Sequence, residues 1–242
     1  MALPAQMLQP DFLPQGIHGA LSLREIADLL NEHDHRVEYV RHGELVIDEE
    51  IRTLREIADE LLENYRVEYI REDELIFVPP AGFTHYTIIQ TLVKFFNRAF
   101  PTLTDVDWQL GSENFQWDLL DAKGSFFIPD LVVASPGAGS RREVREDIKL
   151  LVEVTSPKDK PGVHNDRVIK PRRYARGGMP LFLLIDQGLG TWTLHQLIDD
   201  WPKYQIHSTG YYGESGAPIA LPDPFGFSIP TDQWPPYAEG GE

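Results

Sequence analysis

The chain contains no cysteine, which excludes both a disulfide framework and a thiolate zinc site, so any metal it holds must sit on oxygen or imidazole ligands. Basic residues are scarce. Lys and Arg number 22 against 38 Asp and Glu, a net charge of −16 that repels phosphate backbones rather than attracting them. Long apolar runs are absent too, none approaching the roughly 18 residues of a membrane span. The opening MALPAQMLQPDFLPQG lacks the basic region and apolar core of a signal peptide. The expectation is a cytoplasmic chain with no membrane partner. There is no Gly-rich phosphate loop and no HExxH run, and the 8 histidines are scattered rather than paired at ligand spacing. Ser112, Ser125, Ser140 and Ser156 lack a nucleophile-elbow context.

What is present is enough apolar material, 42% of 242 residues, to furnish the core of one large domain or two small ones. The acidic excess is uneven. Residues 1–80 hold 18 acids and 7 bases, a net of −11, which leaves 20 acids and 15 bases, a net of −5, downstream. Within the remainder, residues 141–176 collect 11 bases against 6 acids, a local net of +5. That segment reads equally as a solvated helix face and as a phosphate-facing patch.

An internal repeat precedes any motif. LREIAD at 23–28 recurs at 54–59, RVEY at 36–39 recurs at 66–69, and each copy continues into a Glu-Leu pair, Glu44-Leu45 and Glu74-Leu75. Ser22 and Thr53 stand before the two helical runs with Glu25 and Glu56 three residues on, the capping-box signature. Each unit therefore reads as helix, strand, turn, strand. Two units are too few for a solenoid, and a duplicated helix-plus-hairpin is the better reading. Its strand edges make a homodimer through added sheet pairing a further expectation.

Beyond the second copy, Ile88, Ile89, Leu92, Val93, Phe95 and Phe96 fall on one face of a helix over 83–99. Strands are expected near 106–110, 115–119, 126–134 and 148–155. A helix follows over about 163–176, limited or kinked by Pro171, and then strands at 181–186, 191–197 and 204–208. Trp192, Trp201 and Trp234 read more readily as packing residues than as stacking platforms. The tail PPYAEGGE is expected to be disordered.

The chemistry-bearing pair is Asp130, after Pro129 at the head of an apolar strand, and Glu153 inside another, LLVEVTSP. An ionised carboxylate on an otherwise apolar strand costs several kcal/mol unless it meets a cation, a proton or a hydrogen-bond donor. If the strands are neighbours the two acids can share a hard divalent ion such as Mg²⁺ or Mn²⁺. Taken singly, Asp130 reads as a turn or cap residue; Glu153 is harder to dismiss.

The succession IPDLVVA (128–134), LLVEVTSP (150–157) and RVIKPRRYARGGMPLFLLID (167–186) resembles the Uma2 family of restriction-endonuclease-like proteins, a branch of the PD-(D/E)XK nucleases. RVEYIREDELIFVPPAGFTHYTIIQTL and the ending LPDPFGFSIPT extend the resemblance over roughly 54–231. It implies an α/β (α+β) fold, a mixed central sheet flanked by helices, here with the duplicated N-terminal unit added. The expected division is a flexible segment at 1–20, an extra repeat copy at 21–52, a nuclease-like domain at 53–231 and a flexible tail at 232–242.

The resemblance also implies a Mg²⁺- or Mn²⁺-dependent endonuclease acting on DNA, with Asp130 and Glu153 as ligands and the backbone carbonyl of Val154 completing the shell. Thr155 stands where the parent superfamily places a lysine, and Lys170, ahead of Tyr174 and Gly178-Met179-Pro180, matches the family's lysine on the next helix. By itself Lys170 would read as one more surface lysine. His85 and Glu68 match recurring family positions and are further candidates beside the metal. Glu38, the repeat counterpart of Glu68, falls in the extra copy. The alternative expectation is a catalytically inactive module acting in binding or regulation, with the acidic N-terminal repeat as an autoinhibitory or dimerising element.

Overall fold

The computed structural model describes residues 19–22, 25–26, 37–40, 44–47, 50–53, 67–71, 74–77, 82–99, 109–112, 117–118, 126–134, 148–155, 164–198 and 201–236. Side chains are described for 25–26, 82–99, 128–134, 148–155, 164–198 and 203–236.

The N-terminal portion supplies β1 (Gly19–Ser22), β2 (Val37–Val40), β3 (Glu44–Ile47), β4 (Glu50–Thr53), β5 (Val67–Arg71) and β6 (Glu74–Phe77). Helix α1 (Phe83–Ala99) follows, then β7 (Gln109–Ser112), β8 (Trp117–Asp118), β9 (Phe126–Phe127), β10 (Leu131–Ala134) and β11 (Ile148–Thr155). A π-helical stretch, Asn165–Ile169, runs into α2 (Lys170–Arg176). The chain continues through β12 (Leu181–Asp186), β13 (Thr191–Ile198), β14 (Trp201–Tyr211), β15 (Ile219–Ala220) and β16 (Ser228–Ile229). Among the described residues no helix is long and apolar enough to cross a membrane.

Two compact units result, one of residues 1–79 with 122–127 and the other of 80–121 with 128–242. Both helix-plus-hairpin copies fall in the first. Both expected hairpins are present, β2 with β3 and β5 with β6. Of the repeat helices, Glu25 and Ile26 are helical, and the second lies outside the described residues.

Each copy also carries a strand ahead of its LREIAD run that the sequence pattern did not announce, β1 in the first and β4 in the second. β4 lies antiparallel on β3 with Glu44 opposite Thr53 and Ile47 opposite Glu50. β1 lies antiparallel on β6 with Ser22 opposite Glu74 and Gly19 opposite Phe77. In repeat terms these are the same pairs in the same register, so the leading strand of the first copy completes the hairpin of the second.

The second unit is built on a six-stranded mixed sheet in the order β14-β13-β12-β11-β10-β7. β11 and β12 run parallel and the other neighbours antiparallel. This is the expected mixed sheet flanked by helices. Alternate residues of each strand serve opposite faces. Leu131, Val133, Leu150, Val152, Val154, Leu183 and Ile185 join Ile88, Ile89, Leu92 and Phe96 of α1 in one buried cluster. Burying each such side chain stabilises the fold by roughly 1.5–3 kcal/mol relative to exposure. Trp192 and Trp234 belong to that cluster, as packing residues. The side chain of Trp201 and the residues after Pro236 lie outside the described set.

The intervening residues, Leu151, Glu153, Thr155, Phe182 and Asp186, point to the other face, where Tyr174 of α2 meets Phe182 with ring centroids 5.3 Å apart. Since both faces are covered, β10, β11 and β12 read as continuous apolar runs rather than alternating ones.

Pro171 acts as the sequence suggests, though by a route periodicity cannot show. Proline lacks an N–H and crowds the carbonyl four residues back. Here the turn before it widens into the π-helical stretch and the α-helix restarts with Pro171 in its first turn.

Candidate active site

The register of β10 on β11 pairs Leu131 with Val152. Asp130 immediately precedes that pair, and its Oδ2 accepts from the backbone N–H of Val154, the residue after Glu153. This brings Asp130 beside the strand that carries Glu153. Both are buried, Asp130 with 7% and Glu153 with 1% of its surface exposed.

Burial of a carboxylate demands partners, and both have them. Asp130 Oδ2 accepts from the Val154 backbone N–H at 2.8 Å, and His85 Nε2, in the first turn of α1, lies 3.2 Å from Oδ1. Burial by itself pushes the Asp130 carboxyl upward. The charge of His85 and its approach to Oδ1, the charge of Lys170 and the Val154 N–H together outweigh it, and Asp130 is held below its ordinary value of 3.8. Asp130 is thus an anion at neutral pH.

Glu153 Oε1 receives two donors. Lys170 Nζ approaches it at 2.9 Å and Tyr174 Oη donates to it at 2.5 Å. The same Lys170 Nζ lies 3.1 Å from Asp166 Oδ1. Asp166, Lys170 and Tyr174 recur at four-residue spacing, which stacks them along one helical face turned to the sheet. A lysine with only 5% of its side chain exposed is fully engaged in the interior. That overturns its reading as a surface residue, although taken without context that reading was the natural one.

A second ion pair flanks the first. Arg167 reaches Asp186 Oδ2 at 2.6 Å through both Nε and Nη2, and the Leu189 backbone N–H donates to Asp186 Oδ1 at 3.1 Å. Beside it Gln187, with its amide oriented to satisfy both neighbours, donates to the Thr155 carbonyl at 3.1 Å and accepts from the His85 N–H at 3.3 Å. This ties the start of α1 to the ends of β11 and β12.

The structure thus brings together Asp130, Glu153, Lys170 and His85. Thr155 lies two residues beyond Glu153 on the same face, fully buried, and its hydroxyl has no hydrogen-bond partner. The backbone of Glu68 lies in β5 of the first unit, and its side chain is outside the described residues. The sequence reading missed Tyr174 as more than a landmark, and missed Asp166 and Asp186. The signal for the first two was the spacing to Lys170.

These residues fit a hard divalent cation. Among the described residues no three His, Asp or Glu are arranged as a metal cluster. A cation there would rest on the two carboxylates. The N–H of Val154 faces Asp130, and the carbonyl of a strand residue leaves on the same side as its N–H. Two carboxylates and one main-chain oxygen suit Mg²⁺, which keeps several waters, better than a metal that demands a full protein cage. The orphaned Thr155 hydroxyl beside them is a polar group in need of a partner.

Residues 49–232 match the family model Uma2, described as "Putative restriction endonuclease". The match begins at Glu49, next to β4, and so leaves out the first repeat copy. Among solved structures, a "putative nuclease belonging to DUF820" from Anabaena variabilis ATCC 29413 is similar in fold, with a TM-score of 0.51 at 16% identity over 69% of this chain and 89% of that one. No curated protein matches.

Proposed function

The chain belongs to the Uma2 family, and from that membership and the paired carboxylates we propose that it is a Mg²⁺- or Mn²⁺-dependent endonuclease hydrolysing DNA phosphodiester bonds. The observation that carries the reading is the placement of Asp130 on the Val154 N–H, next to Glu153, with Lys170 held on Glu153. Phosphodiester hydrolysis needs an activated water, and it needs the charge that develops on the phosphoryl and leaving oxygens to be neutralised.

Asp130, Glu153 and the Val154 carbonyl would hold the cation, which when bound would supply Lewis acidity and positive charge. Tyr174 and Lys170 both engage Glu153 Oε1 and so fix the orientation of its carboxylate. His85 and the Val154 N–H fix the rotamer of Asp130. Lys170 brings a cation to the carboxylate pair from the following helix, where it balances phosphate charge or orients the attacking water. The place after Glu153 where the parent superfamily keeps its lysine is filled by Thr155, whose buried hydroxyl lies on the same face.

The test is cleavage of supercoiled, linear and single-stranded DNA by the full chain with Mg²⁺ or Mn²⁺. Glu153→Gln, Asp130→Asn and Lys170→Met should each reduce cleavage by at least about 100-fold, the scale for losing one preorganised charge-stabilising group. Retention of wild-type cleavage by Glu153→Gln, or no cleavage of any DNA form by the wild type, sinks the reading.

A further inference from the structure

The chain is acidic, and the lysine at its candidate centre is already spoken for by two carboxylates. A polyanionic substrate needs a cation that faces outward. Arg167 meets that requirement. It lies three residues before Lys170 on the same helical segment, and its side chain is 37% exposed where that of its partner Asp186 is 6% exposed.

Its placement follows from the sheet. β11 and β12 are parallel, with Glu153 beside Leu184 and Thr155 beside Asp186. Asp186 thus shares the face of Glu153, one strand over and two residues further along. With strands about 4.8 Å apart and a rise of roughly 3.3 Å per residue, the backbone offset is about 8 Å on the diagonal. It also lies on the opposite side of Glu153 from Asp130, because β11 sits between β10 and β12.

The guanidinium is held in a fixed orientation. Nε and Nη2 both spend a donor on one oxygen of a buried carboxylate whose other oxygen is fixed by the Leu189 N–H. Arginine has five N–H donors, so this edge leaves the Nη1 side for another acceptor. Because the planar fork is already anchored, little side-chain entropy remains to be lost on binding an anion. A bare surface arginine has no such anchor. A structural ion pair would account for the contact but not for why the charged group projects beyond its buried partner.

Resting on the nuclease reading, the geometry points to Arg167 as a phosphate-binding subsite, taking a non-scissile backbone phosphate of the nucleic acid on the β12 side of the cleavage centre, with Asp186 as its positioning residue. The substrate strand then runs from the Asp130 and Glu153 pair past Lys170 toward β12. Charge and donor geometry at Arg167 recognise the phosphate and carry no base preference, as phosphate contacts generally do not.

The test uses the full chain carrying Glu153→Gln, with a short fluorescein-labelled DNA duplex as probe and anisotropy read across a salt series without divalent metal. Arg167→Gln leaves Asp186 buried with one fewer partner and risks misfolding. The decisive variant is therefore Arg167→Gln combined with Asp186→Asn, which removes both charges and leaves net charge unchanged. One phosphate contact fewer lowers the slope of log K against log salt by about 0.9, and the affinity falls with it. Arg167→Lys keeps the slope but loses affinity, since the fork is gone. In the otherwise wild-type chain the double variant raises KM and leaves kcat within about twofold.

An unchanged slope and KM in the double variant overturn the subsite while leaving the nuclease reading intact, provided the wild type cuts. If Glu153→Gln cuts as the wild type does yet the double variant loses slope, the metal-site reading falls and the subsite stands. If the chain neither binds nor cuts DNA, both fall.

Discussion

Tyr174 Oη and Lys170 Nζ converge on a single oxygen, Oε1 of Glu153, at 2.5 and 2.9 Å. Tyr174 has none of its surface exposed, so its hydroxyl cannot exchange this partner for bulk water. Tyr174→Phe keeps the ring and its packing on Phe182 and deletes only the donor. A hydrogen bond to a charged group contributes about 1.5–3 kcal/mol. The expected result is a loss of that size in urea unfolding of the apo protein. Mn²⁺ affinity should also weaken, because the carboxylate is less firmly oriented, and isothermal titration would read it. A ring that merely fills space would leave Mn²⁺ affinity unchanged.

Lys170 gives a larger effect. It is the cation between Glu153 and Asp166, and removing one partner of a buried ion pair costs about 3–5 kcal/mol, since it strands the other charge. Lys170→Met should approach that figure in chemical denaturation, while Glu153→Gln should cost less because Lys170 keeps Asp166. Equal losses would mean that Asp166 does not hold the lysine. Seen as bare neighbours, two crowded carboxylates would gain stability when one is removed. With Lys170 and Tyr174 on Glu153, and His85 and Val154 on Asp130, that relief is absent and removal of either acid is expected to destabilise.

The contrast shows which parts of this protein are legible as text. Residues 83–99 were readable as a helix because Ile88, Ile89, Leu92 and Phe96 repeat at helical spacing and are buried for that reason. β12 was readable as an apolar run bounded by Pro180 and the Gly188-Leu189-Gly190 turn. Asp130 and Glu153 stood out because charge on an apolar strand is expensive.

Their partners did not stand out. Tyr174, Asp166 and Asp186 are ordinary residues in a basic helix and at a strand end, and what distinguishes them is the docking of that helix on the sheet, a tertiary fact. β1 and β4 escaped for a related reason. GALS and EIRT are four-residue stretches without clear alternation; GALS becomes a strand by pairing with β6 far along the chain, and EIRT by folding straight back on β3.

Asp130 makes a pH prediction with a definite sign. Its folded carboxyl is held below the ordinary 3.8, so the unfolded chain binds the proton more readily. The stability it contributes is fully present above about pH 3.8 and is lost as the pH falls through the lower folded value. The gap in unfolding free energy between wild type and Asp130→Asn should therefore be widest from the weakly acidic range upward and should narrow on acidification. Urea midpoints measured down to about pH 2.5 would show it. A gap that widens on acidification would mean that burial wins over His85, Lys170 and the Val154 N–H.

The repeat sets up a competition between two strands for one edge. β1 occupies on β6 the place that β4 occupies on β3, with Ser22 opposite Glu74 as Thr53 is opposite Glu44. Removing residues 1–48 takes away β1 and β3 together, leaving β6 with a bare edge and β4 without a partner. An unpaired edge strand recruits whatever strand is available. β4 is the repeat equivalent of the lost β1, is joined to β5 by residues 54–66, and stands where the family match begins. We expect it to take the vacant place on β6 within the same chain in the register of β1, giving a folded monomer by light scattering. Amide hydrogen exchange should then show protection at 50–53 and 74–77. A dimer, or free exchange at 50–53, would mean that the edge is closed by a second chain or not at all, and that the first copy supplies a strand the second cannot replace.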